Sequence, residues 1–276
     1  MDDLLTMACA KLGVVLVRPL TPGGQKAVYL VQTPDGVLSV LKVVNLTASS
    51  DPAAIERARR EVELLTRIDH PNVVKVTSEL IEIGARPDAM CWLESYLEGT
   101  DLRNCGSGWS AADLVALARD VAAGLGALHS HGVIHRDLSP GNVQRLNRGG
   151  FVVMDPGVAK HTLRTGITVG GQPGTPGYMT PEHIQSYSGA PTPASDVFGC
   201  GALVYLAATG AAPVPYKGDD NDYLRRLRTA DHVALAVARP DLPSKLIGVV
   251  ERTLHRQPAR RYRNGSALYV ALEGVA

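Results

Sequence analysis

The chain has 276 residues, 45% of them hydrophobic, and its 28 basic and 27 acidic side chains leave a net charge of +1. That length is ample for a sizeable core in one domain, and the near-neutral charge gives no electrostatic reason to expect nucleic acid as a partner. The four cysteines, Cys9, Cys91, Cys105 and Cys200, form no C-x-x-C pair, which argues against a metal or disulfide scaffold and for reduced thiols in a cytoplasmic protein.

In chain order, the acidic start Met1-Asp2-Asp3 is unlike a secretory leader. Val14–Val17 and Ala27–Gln32 read as two Val-rich strands broken by Pro19–Gln25. The frame Thr21-Pro22-Gly23-Gly24-Gln25-Lys26-Ala27-Val28 reads, taken alone, as a hairpin turn. Gly36–Val44 is a third strand, with Lys42 in a run of Val and Leu; a lone lysine there could simply reach water from a strand edge. Ser50 or Asp51 can cap a helix whose first turn suits Pro52, and Ile55, Ala58, Val62, Leu65 and Ile68 recur at helical spacing. Glu56, Glu61 and Glu63 are its acidic residues. Val73–Val76 and Met90–Leu93 read as the last strands of this region, followed by the connection Ser95–Gly99. Ser110 caps a helix through about Ser130, with Leu114, Leu117, Val121, Leu125 and Leu128 on one core-facing side.

The chemistry concentrates in Val133–Gly157. His135-Arg136-Asp137 precedes Asn142 by a loop containing Pro140 and Gly141, and Asp155-Pro156-Gly157 follows the apolar run Phe151–Met154. Such a loop can bring a carboxylate and a carboxamide to one site, with a second carboxylate arriving at the end of the next strand. An Asp to accept a hydroxyl proton, and an Asn and an Asp to hold divalent ions, suit phosphoryl transfer. Beyond it, Thr162, Thr165 and Thr168 lie among glycines and basic residues. Gly199–Val214 is the most apolar stretch but is too short and Gly-rich to span a bilayer, so no membrane partner is expected. Leu203–Leu206, Leu242–Leu254 and Ala267–Leu272 complete an α-rich half.

H-R-D-L-x-x-x-N followed by D-x-G resembles the catalytic core of eukaryotic-like, bacterial-type Ser/Thr protein kinases. Further ordered matches run from about residue 20 to 265: Val40-Leu41-Lys42, Asp69–Val74, Gly174–Glu182, Ser195-Asp196-Val197 and Gln257–Arg261. The resemblance implies an α+β bilobal fold in one kinase domain, 1–276, with an N-lobe to residue 94 and the hinge and C-lobe from 95. It implies ATP with Mg²⁺ or Mn²⁺ as cofactors and Ser/Thr hydroxyls of proteins as substrates. Asp137 would accept the hydroxyl proton, and Asn142 and Asp155 would ligate the metal. Lys42 would contact the α- and β-phosphates and pair with Glu61. Gly23, Gly24, Lys26 and Val28 would form a modified phosphate loop, and Val40, Ser95, Leu97, Asp101 and Gln144 would surround adenine and ribose. His135 is expected to pack structurally, Arg136 to read activation-loop phosphate, Glu182 to pair with Arg261, and Asp196 to brace the catalytic loop. Thr162, Thr165, Thr168 and Thr175 are the phosphosite and specificity positions, and self-association would allow autophosphorylation in trans.

Several positions depart from the family pattern. Ser139 stands where a lysine would neutralise the transferred group, and Lys26 stands where a glycine is usual. Pro156 replaces the Phe of D-F-G, and Thr180 the Ala of A-P-E. Glu94 falls at the gatekeeper position, Val40 at an Ala, and Gln144 at the apolar adenine floor. A buried Glu94 needs a partner or a raised pKa. Three readings stay open: an active Ser/Thr protein kinase, a pseudokinase or very slow kinase acting as a nucleotide-binding module, and a small-molecule phosphotransferase.

Overall fold

A computed structural model describes residues 2–21, 26–46, 52–84, 88–156, 168–169, 172–173, 175–183 and 191–275. The described residues fall into two compact units, one of residues 2–69 and 74–98, the other of 70–73, 99–156 and those from 168 on.

The first unit is built on a five-stranded antiparallel sheet. Helix α1 (Asp2–Leu12) leads into strands β1 (Val15–Thr21), β2 (Lys26–Gln32) and β3 (Leu38–Asn45); helix α2 (Pro52–Thr66) and strands β4 (Ile81–Ile83) and β5 (Ala89–Ser95) follow. The strand order is β1-β2-β3-β5-β4. Helix α1 was not foreseen from the sequence. It applies Leu4, Leu5, Ala8, Cys9 and Leu12, spaced along one side of the helix, to a core of Val31, Leu41, Val43, Cys91 and Leu93. The Lys11 Nζ donates to the Glu82 carbonyl, 2.8 Å away, and ties the helix to β4.

One strand assignment needs correction. Val73–Val76 is not a strand; only Val73 and Val76 form isolated bridges, to Val153 and Glu94 respectively. The fourth strand is Ile81–Ile83. An alternating three-residue strand is too short for periodicity to mark, whereas the continuous Val run is apolar because Val73, Val74 and Val76 are buried.

The second unit holds β6 (Gly99–Asp101), α3 (Ala111–Ser130), β7 (Val143–Leu146) and β8 (Phe151–Val153). It continues with β9 (Thr168–Val169), β10 (Gln172–Pro173), α4 (Pro193–Thr209), α5 (Asp220–Thr229), α6 (Leu235–Ala238), α7 (Ser244–Thr253) and α8 (Gly265–Ala271). Ser110 caps α3, its hydroxyl accepting from the Asp113 N–H at 3.1 Å. Thr192 and Ser195 form a reciprocal capping box on α4, with Pro193 in the first turn. Helix α4 is buried nearly all round, which accounts for the apolar composition noted near its end. Its glycine Gly201 lies so close to α7 that a Cβ would sit 1.8 Å from Thr253 Oγ1. Among the described residues no helix is long and apolar enough to cross a membrane.

Candidate active site

In the first unit, strand pairing brings the polar groups to one face of the sheet. The register matches Val28 with Lys42, Lys42 with Trp92, and Val40 with Glu94. Side chains alternate along a strand, so Val28, Val40, Lys42, Trp92 and Glu94 share the face opposite the one packed under α1. Glu94 is the diagonal neighbour of Lys42, within reach of two long side chains. The Lys42 ammonium donates to Glu94 Oε2, and Trp92 Nε1 donates to Glu94 Oε1 at 2.9 Å. Lys42 is 4% and Glu94 3% exposed. Neither charge could be held there alone, because an isolated buried ion costs several kcal/mol, on the order of magnitude found for desolvation in proteins. The partner that a buried Glu94 requires is therefore Lys42. Glu61 is half-buried on α2.

In the second unit, Asp196 at the start of α4 organises the candidate catalytic loop, residues 135–142. Its Oδ2 accepts from the His135 N–H at 2.7 Å and its Oδ1 from the Arg136 N–H at 2.9 Å. His129 Nε2 lies 2.8 Å from the same carboxylate, while His129 Nδ1 accepts from the Gly265 N–H at 3.0 Å. Arg136 has φ 66°, a left-handed conformation that costs a non-glycine residue about 1–3 kcal/mol. Two charge-assisted bonds to consecutive N–H groups hold that conformation in place. His135 is fully buried and its Nε2 meets the Met154 carbonyl at 2.9 Å, which assigns the ring proton to Nε2.

Asp137 and Asn142 meet directly. Asn142 Nδ2 donates to the Asp137 carbonyl at 2.7 Å and lies 3.4 Å from Asp137 Oδ2. This commits the amide nitrogen to the protein and leaves Oδ1 as the acceptor available to a cation. The Met154 N–H bonds the Asn142 carbonyl at 2.8 Å, so the loop is strapped to the segment that presents Asp155. Asp155 is half-buried and also left-handed, with φ 51°. Pro156 after it is buried. Ser139 is 6% exposed and opens the short helical turn Pro140–Asn142.

The far side of the site is set by residues 175–183. Thr175 Oγ1 donates to Asp137 Oδ1 at 2.8 Å. Two residues on, Gly177 (φ 90°) gives its N–H to the Tyr223 hydroxyl on α5 at 2.9 Å. Burial pushes the Tyr223 phenol up to about 12, so it remains protonated. Arg261 forms a bidentate fork on Glu182, both bonds 2.8 Å, and also donates to the Ala194 carbonyl at 3.0 Å. Burial alone would raise the Glu182 carboxyl, but the Arg261 fork outweighs it and holds the group below the usual carboxylate range.

The remaining predicted residues are dispersed over both units. Val28 and Val40 are on the Lys42 face, and the Ser95 N–H is taken by the Lys75 carbonyl at 2.9 Å. Leu97 is half-buried beyond β5. Asp101, paired with Gln144 between β6 and β7, accepts from the Arg103 backbone and guanidinium and from Asn104. The Arg103 guanidinium in turn lies over Gly141, where a Cβ would be 3.0 Å away. Thr180 is buried. Thr168 is placed in β9 by its backbone, and Lys26 in β2, with their side chains outside the described set. Gly23, Gly24, Gly157, Thr162 and Thr165 lie outside the described residues. Trp92, His129 and Tyr223 were missed from the sequence. His129 carries a signal in hindsight, standing six residues before His135, but Tyr223 is an aromatic in an ordinary amphipathic helix.

The candidate donor set, the Asp155 carboxylate and the Asn142 carboxamide oxygen, is all oxygen and fits a hard divalent ion. Among the described residues no group of three His, Cys, Asp or Glu side chains is placed to hold a metal ion.

Residues 16–269 match the family model described as the protein kinase domain. Over 274 residues the chain is 32% identical to the DNA damage-responsive serine/threonine-protein kinase RqkA of Deinococcus radiodurans, an alignment covering 92% of this chain and 38% of that protein. It is 28% identical to the serine/threonine-protein kinase pkn2 of Myxococcus xanthus, over 93% of this chain and 32% of the other. With PkaA of Streptomyces coelicolor the identity is 31%, over 82% of this chain and 41% of the relative. The chain thus spans well under half the length of these curated relatives.

Proposed function

This chain belongs to the protein kinase domain family, and from that premise we propose that it transfers the γ-phosphate of ATP to Ser and Thr hydroxyls of proteins. The observation that carries this reading is the Asp137 carboxylate, with Oδ1 held by the Thr175 hydroxyl and its loop fixed by Asn142. A carboxylate pinned in that way can orient an incoming hydroxyl and accept its proton. Asn142 and Asp155 would hold Mg²⁺ or Mn²⁺, which when bound neutralises charge on the phosphates. Lys42 supplies a fixed ammonium for the phosphates, and Gly23, Gly24, Lys26 and Val28 the covering loop. Val40, Ser95, Leu97, Asp101 and Gln144 belong to the nucleotide site on this reading. The Asp101 carboxylate must then accept a ribose hydroxyl beside Arg103 and Asn104, which already bond it.

Thr162, Thr165 and Thr168 are proposed sites of autophosphorylation in trans, with Arg136 reading the phosphate. A cytoplasmic setting, which supplies ATP and keeps the four thiols reduced, is part of the same reading. Incubation with labelled ATP and Mg²⁺ and a protein acceptor, followed by mass spectrometry, tests it. Label on Ser or Thr that disappears in Asp137→Asn is the expected result. Absence of transfer with intact nucleotide binding would favour the second reading, a nucleotide-binding module, which the buried Ser139 at the lysine position supports.

A further inference from the structure

We propose that Glu94 is a positioning residue for Lys42, orienting the ammonium from within the sheet. The inference rests on the reading of Lys42 as the lysine that meets the phosphates. Three observations carry it. Lys42 and Glu94 are both shielded from water and bonded to each other, which makes their attraction much stronger than that of a surface pair. The second carboxylate oxygen is occupied by Trp92 Nε1 at 2.9 Å, and Trp92 is itself 3% exposed, so Glu94 is pinned at both oxygens. All three side chains stand on β3 and β5, whose register places them on one face, and the Glu94 backbone is paired on its other side with Val76.

The chemistry of the pair follows from this geometry. A carboxylate at position 94 holds the Lys42 ammonium by a direct bond and limits its rotamers before any nucleotide arrives. The lysine then presents a preorganised positive charge, the arrangement that stabilises charge in a transition state without reorganisation. A carboxylate carried on α2 depends on where that helix sits, whereas one fixed two residues along a paired strand does not.

The test compares Glu94→Gln, Glu94→Asp, Trp92→Phe and Glu61→Gln in the full chain. The first readout is the rate at which an amine-selective acylating reagent labels Lys42, followed by mass spectrometry, which requires no enzymatic activity. Glu94→Gln keeps the shape and the acceptor for Trp92 but removes the charge that holds the amine, so several-fold faster labelling is expected. Glu94→Asp should restore slow labelling in part, and Glu61→Gln should change it less than Glu94→Gln does. Trp92→Phe retains both charges and gives a smaller rise, which keeps the pair testable should Glu94→Gln fold poorly. The second readout is phosphate transfer with mant-ATP affinity measured in parallel. A fall of about 10²-fold in kcat with a smaller change in nucleotide affinity is the expected split, the scale for losing one preorganised donor. Unchanged Lys42 labelling in Glu94→Gln overturns the proposal. A gain in transfer by that variant overturns it as well, since the carboxylate would then be withholding the lysine. A wild-type chain that transfers no phosphate would count against the kinase reading, and the labelling contrast would still decide the pair.

Discussion

Among the described residues, the buried polar clusters around Glu94 and around Asp196 solve the same desolvation problem in different ways. In the first unit Lys42, Glu94 and Trp92 bond side chain to side chain. In the second, Asp196 bonds mainly to backbone, the N–H groups of His135 and Arg136, with His129 alongside. The difference is in what each fixes. Bonds to backbone N–H groups hold a chain path, here one that includes a left-handed Arg136. Bonds between side chains hold only the orientation of the groups themselves, and the strand register supplies the rest. The Asp196 cluster should therefore govern stability and loop geometry together, and the Lys42 cluster should govern function with less effect on folding.

Predictions that sharpen this contrast run from large effects to small. Asp137→Asn is expected to cost about 10²–10⁴ in turnover, the range for removing a general base, with thermal stability close to wild type. Phosphorylation assays beside circular-dichroism melts check both parts; a comparable loss of stability would move Asp137 from chemistry to architecture. Asp196→Ala leaves two buried N–H groups and His129 without their acceptor and should destabilise by roughly 3–5 kcal/mol. Urea unfolding measures this, and a loss below about 1 kcal/mol, the scale of an ordinary hydrogen bond, would contradict the role of Asp196 in holding the loop.

Ser139→Lys tests the missing cation in the catalytic loop. An added ammonium near the transferred group should raise turnover by up to about 10²-fold if nothing replaces it. If Lys26 has taken over that charge, Lys26→Ala lowers turnover and Ser139→Lys recovers it in the double variant. Steady-state rates of the three proteins separate the cases, and neutral effects throughout would mean that neither position limits transfer.

A smaller effect concerns pH. The Glu182 carboxyl is held below the usual range in the folded state, so the unfolded chain binds its proton more readily. Its stabilisation is then complete above about pH 5, past the ordinary glutamate range, and is lost as pH falls through the folded-state value. The difference in urea midpoint between wild type and Glu182→Gln should be constant near neutrality and shrink on acidification; a difference that grows toward low pH would reverse the sign. Smallest of all is thiol reactivity. Burial raises Cys91 to about 11 and Cys200 to about 12, so thiol reagents near pH 8 should label Cys9 and Cys105 first.

Much of the architecture was legible because it is encoded locally. The Ser110 cap, the helical spacing from Leu114 to Leu128, and the Pro52 start of α2 need only neighbouring residues to be recognised. The meeting of Asp137 and Asn142 in the candidate site was legible for a related reason: they are five positions apart, and one tight loop suffices to join them. Helix α1 was overlooked because its apolar residues become meaningful only against the sheet face they cover. The fourth strand was misplaced because buried Val73–Val76 resembles a strand more than Ile81–Ile83 does, although pairing with β5 goes to the latter.

By itself, then, the sequence determined the kinase-like order of motifs, the helices with strong caps, and which carboxylates and carboxamide are candidates for phosphoryl transfer. These depend on interactions within a few residues. The tertiary structure decided that Glu94 answers Lys42 across 52 positions, that Asp196 holds two N–H groups some 60 positions earlier, and that Tyr223 secures Gly177. The physical reason is that a buried charge or N–H must find a partner, but which partner it finds depends on strand register and helix packing.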